Sequence, residues 1–112
     1  MRQNGEERER CGELHQVDFP LLDRYLLTGS PSKDEVVAAL LREHPGGTEA
    51  APFYEGLKIL GSRTPDLSLM ALRLVLAGKK ADDAAVKRLR ALVERARGGD
   101  AEASAAYKEE LR

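Results

Sequence analysis

Cys11 and His15 stand four residues apart, a spacing that places two side chains on one face of a helix. A thiol beside an imidazole could ligate a metal ion, or act as a nucleophile with its general base. Neither reading develops further. A structural zinc site needs four ligands, and the chain holds one cysteine and two histidines, the second being His44. The nucleophile reading lacks a third group to orient the imidazole. It also sits in a run of charges, where Glu6, Glu7, Glu9 and Glu13 alternate with Arg8 and Arg10. Such a run is a solvated face, not a pair of carboxylates held for acid–base work. The pair therefore reads as a surface thiol and an exposed imidazole. The glycines of "PGG" and "RGGD" stop helices and match neither a phosphate-cradling nor a dinucleotide-binding loop. No nucleophile elbow or H-E-x-x-H pattern occurs. No metal, no cofactor and no catalytic residue is expected. A small enzyme built on the acidic half ranks behind two binding readings.

The elements that would position any site are helical. Leu and Ala, both strong helix formers, occur 17 and 15 times, against one Ile and no Trp. Too few β-branched and aromatic residues remain for an extensive sheet. At 112 residues, with 42% hydrophobic and 33% charged, the chain is long enough for one core and too short for two. Residues 1–16 read as a charged lead-in and 17–112 as a single helical domain. The lone cysteine excludes an internal disulfide and suits a reducing compartment. The first ten residues lack the apolar run of a signal peptide, and the longest apolar stretch is far short of the roughly 20 residues of a membrane span. A cytoplasmic protein with no membrane partner is expected. The Ala, Arg, Gly and Leu bias suits a GC-rich bacterial genome.

Helix punctuation is dense. Asp18 reads as an N-cap with Pro20 in the first turn, and Gly29 closes that helix. Ser32 and Glu35 form a capping box, Val36, Val37, Leu40 and Leu41 the stripe behind it, and "HPGG" its stop. Thr48 is placed as the cap of a helix carrying Phe53, Leu57 and Leu60. Thr64 is read as the next N-cap, Pro65 as first helical residue, Asp66 as a carboxylate at the positive end of the dipole, and Gly78 as C′. Asp82 or Asp83 starts a helix closed by Gly98 and Gly99, and Asp100 caps the last one, through Tyr107 to Leu111. The expected architecture is all-α: a compact bundle of five to six short helices.

One helix, about 65–77, is apolar nearly all round. Asp66 and Arg73 fall within about 20° of each other on the wheel, Ser68 lies opposite, and Leu67, Leu69, Met70, Leu72, Leu74, Val75 and Leu76 cover the remainder. A helix apolar on all sides is buried on all sides, so it is expected at the centre. Alternatively, one side of it, Leu69, Leu72 and Leu76, is left for a partner, a second copy of the chain included. Tyr25, Tyr54 and Tyr107 fall on or near apolar stripes and read as core.

Helix 83–97 is amphipathic. Ala85, Val86, Leu89, Leu92, Val93 and Ala96 form its inner arc. Residues 79–97 carry seven basic and three acidic groups, so the outer face is cationic. Lys87, Arg88, Arg90 and Arg95 could contact phosphates in a salt-sensitive, sequence-blind way. Acidic residues at the start and basic ones at the end also simply complement the helix dipole. With a net charge of −1, no strong attraction of the whole chain to nucleic acid is expected.

The string "LVERARGGDAEASAAYKEEL" (92–111) resembles the opening of region 2 in extracytoplasmic-function sigma factors, and also the turns of tetratricopeptide-like hairpins. A helix ending at Gly-Gly with Asp100 capping the next accounts for it through turn chemistry, and no function is carried over. The helix count is similar to that of death-domain-like bundles. The functional expectation is a non-enzymatic protein–protein interaction module, a small cytoplasmic regulator, adaptor or immunity-type protein. The alternative is a nucleic-acid-associated regulator using the basic face of helix 83–97.

Overall fold

The computed structural model describes residues 19–112. These form six α-helices and one 3-10 turn: α1 (Pro20–Thr28), α2 (Lys33–Glu43), α3 (Ala51–Leu60), η1 (Gly61–Arg63), α4 (Asp66–Leu76), α5 (Asp83–Arg97) and α6 (Ala101–Glu110). No strand occurs among the described residues, and none of their helices is long and apolar enough to cross a membrane. The all-α bundle expected from composition and punctuation is the observed architecture.

Several boundaries rest on the residues that the sequence marks. Ser32 Oγ accepts the Glu35 N–H, Asp82 caps α5 through the Ala85 N–H, and Asp100 caps α6 through the Glu102 and Ala103 N–H groups. Beyond α4, Gly78 N–H donates to the Val75 carbonyl and Lys79 N–H to the Leu74 carbonyl, the paired bonds of a Schellman motif. Two expected caps are displaced. Thr64 does not cap α4, because its Oγ1 turns back to the Gly61 carbonyl at 2.8 Å and closes η1. The N-cap is Pro65, whose carbonyl accepts from Ser68 and Leu69. Thr48 does not cap α3 either; residues 48–50 form a turn and the buried Ala50 precedes the helix. The N-cap expected at Asp18 lies outside the described residues, as do Cys11 and His15, and α1 follows Phe19.

α5 packs against α6, α1 and α4; α1 also touches α2 and α4; α2 holds α3 and η1. One core results, with Leu22, Leu26, Val36, Tyr54, Leu69, Leu72 and Leu89 among its most buried side chains. α4 buries Leu69, Met70, Leu72, Arg73 and Leu74 and keeps Leu67 and Ser68 at the surface. The middle of the molecule is thus shared between α4 and the two helices beside it, α1 and α5. All three tyrosines are buried.

The α2–α3 connection closes over the end of α4. Gly46 has φ +87°, and a Cβ there would stand 2.7 Å from Ala50 Cβ and 2.8 Å from Leu76 Cδ2. Gly46→Ala is therefore expected to lower stability by about 2–3 kcal/mol, combining left-handed strain with overpacking. Gly29 has φ +81° with open space around its Cβ position. Gly29→Ala should cost only the strain, about 1 kcal/mol. Urea midpoints of the two variants check this; equal losses would show that the close approach at Gly46 is unimportant.

Candidate functional site

Ionisable side chains meet in two places inside the bundle. In the first, Arg73 Nε lies 2.7 Å from Asp23 Oδ1, and its second nitrogen donates to Oδ2 at 3.3 Å. The Tyr107 hydroxyl donates to the same carboxylate, the Phe19 N–H reaches Oδ2 at 3.4 Å, and the guanidinium sits 4.9 Å from the Phe19 ring centroid. Arg73 is only 5% exposed. Of the two polar residues that share one side of α4, Arg73 turns inward and Asp66 stays partly exposed. The Asp23 carboxylate draws the guanidinium there by offering a bidentate partner that compensates the burial of a charge. Burial, reinforced by the Asp23 carboxylate, raises the Tyr107 hydroxyl pKa above its ordinary value.

The second cluster is built on Asp66 at the start of α4. Lys33 Nζ lies 2.9 Å from Asp66 Oδ1, the Tyr25 hydroxyl donates to Oδ1 at 2.9 Å, and Arg97 approaches Oδ2 at 3.4 Å. Lys33 also donates to the Thr64 carbonyl, while Arg97 donates to the Tyr25 and Leu26 carbonyls at the end of α1. One aspartate thereby fastens α4 to α1, α2 and α5. Burial disfavours its charge, but the hydrogen bonds from Lys33 and Tyr25 and the nearby cations outweigh that, and the Asp66 pKa falls below its ordinary value. Lys33 is raised: burial works against its charge and the bond to Asp66 prevails. Tyr25 is raised by burial first and by Asp66 second.

The ionisable groups of both clusters have partners within the fold, and these bonds hold helices together. Tyr54 is similar: its hydroxyl donates to the Pro45 carbonyl, its ring centroid is 4.0 Å from that of His44, and burial pushes its pKa up to about 12. Among the described residues, no group of three His, Cys, Asp or Glu side chains could hold a metal ion.

The residues singled out for binding fall in different places. Leu69 and Leu72 lie wholly within the core, and Leu76 is half-buried against the α2–α3 connection. A partner cannot reach Leu69 or Leu72 without opening the bundle, so they do not form the expected contact surface; α1 and α5 already cover them. Of the basic face, Arg88 pairs with Glu110 at 3.2 Å, Arg90 with Glu94 at 3.0 Å, and Arg95 with Asp100 at 2.8 Å. Lys87 is exposed beside them. Three of these four cations thus have carboxylates next to them, which lowers the field that a phosphate would meet.

Besides Leu21 of α1, the large apolar side chains exposed among the described residues lie in the segment that carries the chain from α3 into α4. α3 packs on α2 and η1. Tyr54 and Leu57 turn inward. Ile59 stays 74% exposed, Leu60 41%, and Leu67 in the first turn of α4 45%. The sequence reading missed Ile59 altogether and set Leu60 on the inner stripe. The available signal was the run "LKIL", which is too apolar for one helix face, ahead of Gly61. An apolar concavity of about 370 Å³ lies between α1 and α2, lined by Phe19, Leu21, Val36, Ala39, Leu40 and Glu43 among others.

Compared with protein-family models, curated proteins and solved structures, the chain shows no match.

Proposed function

We propose that the chain is a non-enzymatic protein-interaction module that meets its partner through the α3–α4 edge. The observation that carries this reading is the exposure of Ile59, Leu60 and Leu67 within nine consecutive residues. Scattered surface leucines are ordinary, whereas an isoleucine 74% exposed next to a second exposed apolar side chain at the end of α3 marks a contact surface. The reading as non-enzymatic is supported by the use made of the charges where helices meet: Asp23, Arg73, Asp66, Lys33 and Arg97 join one helix to another.

A photo-crosslinking amino acid placed at position 59, with a control at exposed Ala84 on α5, tests the proposal in the producing cell. Position 59 is expected to yield a discrete adduct and position 84 none. Equal adduct patterns from both positions, or none from either, would count against an interface at this edge.

A further inference from the structure

We infer that the α3–α4 edge is covered by a second copy of the chain, docked with its α3 antiparallel to the first about a twofold axis. This rests on reading that edge as a contact surface, and it names the occupant.

The first observation is Gly56. Glycine inside a helix is less stable than alanine, and a Cβ built at Gly56 meets nothing within 4 Å. No neighbour inside the molecule excludes a methyl group there. Gly56 precedes Ile59 by three residues, so the two share a face of α3. The protruding Ile59 therefore stands beside a bare stretch of backbone, a knob next to a hole. Antiparallel twofold pairing seats the Ile59 of each copy over the Gly56 of the other, one element being the complement of itself.

Charge placement selects the same orientation. Glu49 and Glu55 belong to the N-terminal half of the segment, and Lys58 and Arg63 to the C-terminal half; Glu55 and Lys58 meet at 3.4 Å within the chain but stay largely exposed, which leaves Glu49 and Arg63 as the pair an antiparallel copy would complement. An antiparallel pair sets the acidic half of one copy against the basic half of the other and opposes the two helix dipoles. A parallel pair would set like against like. Arg63 reaches only the Leu60 carbonyl, at 3.5 Å, and has no carboxylate partner among the described residues.

Size sets the strength. A ten-residue helix is about 15 Å long, and two such helices cover less than the roughly 800 Å² per partner of a standard interface. Such a contact lies at the small end of the range of interfaces, so association is expected only at high protein concentration.

Sedimentation velocity of the full chain at rising concentration tests this. The mass is expected to climb from 12.3 kDa toward twice that value. Ile59→Glu, with unchanged circular dichroism, should raise the Kd by about tenfold or more. Gly56→Ala supplies a readout that an internal role would not: it should raise the thermal midpoint of the dilute, monomeric protein and yet weaken association. Glu49→Lys alone should also weaken association, and adding Arg63→Glu should restore it. A chain of constant mass at every concentration overturns the inference, as does Ile59→Glu pairing like the parent. If the mass is constant while position 59 still crosslinks to a different protein, only self-association fails. If both fail, the interaction reading falls with it.

Discussion

Arg73→Leu is expected to cost about 3–5 kcal/mol of folding stability, the range for removing one partner of a buried ion pair. That is a large share of the roughly 5–15 kcal/mol available to a domain. The loss has a specific origin. Asp23 would keep the Tyr107 hydroxyl and the Phe19 N–H but lose its only cation among the described residues. The carboxylate would then remain partly buried, its side chain 18% exposed, with no compensating charge. Phe19 would lose the guanidinium over its ring as well. Urea unfolding followed by far-UV circular dichroism measures the cost. The mechanism predicts non-additivity: Asp23→Leu combined with Arg73→Leu should be less damaging than the sum of the two single changes by about 2 kcal/mol or more, because the pair leaves together. Additive losses would mean that the two residues stabilise the fold independently, and the cluster would then be two contacts rather than one.

Leu72→Asp is expected to prevent folding outright. Leu72 is 1% exposed in the core cluster to which all six helices contribute. Truncating a buried leucine to alanine costs about 2–5 kcal/mol. Placing an unpaired carboxylate there adds its desolvation, a further several kcal/mol. Together these match or exceed what a domain of this size has in hand. Leu72→Ala should fold with a lowered urea midpoint, whereas Leu72→Asp should lack a cooperative transition altogether. Ile59→Glu, the same kind of change on the exposed edge, should leave the transition in place. A well-folded Leu72→Asp would show that α4 is not enclosed, and the partner surface would return to that helix.

The two substitutions separate what local rules decide from what they do not. Helix termini were legible because a cap is settled within about four residues. Ser32, Asp82, Asp100 and Gly78 act where the sequence places them. Even locally there were limits: Thr64 had two acceptors within reach, the helix it precedes and the turn it follows, and it joined the turn.

The candidate site was less legible. Leu69, Leu72 and Leu76 were singled out because they share a stripe on the most apolar helix, yet a stripe does not say whether its cover comes from the same chain. Ile59 was passed over because one isoleucine near a helix end carries no periodic signal.

By itself the sequence determined the all-helical class, the order of the six helices, most of their ends and the need to bury much of α4. These follow from propensity, capping and period, which act over one or two turns. The tertiary structure alone decided that Arg73 points into the core toward Asp23, that one aspartate, Asp66, ties α4 to α1, α2 and α5, and that Ile59 is left to water. Those outcomes depend on partners 31 to 84 positions away in the chain, where charge pairing and competition for a small core outweigh any neighbour's preference.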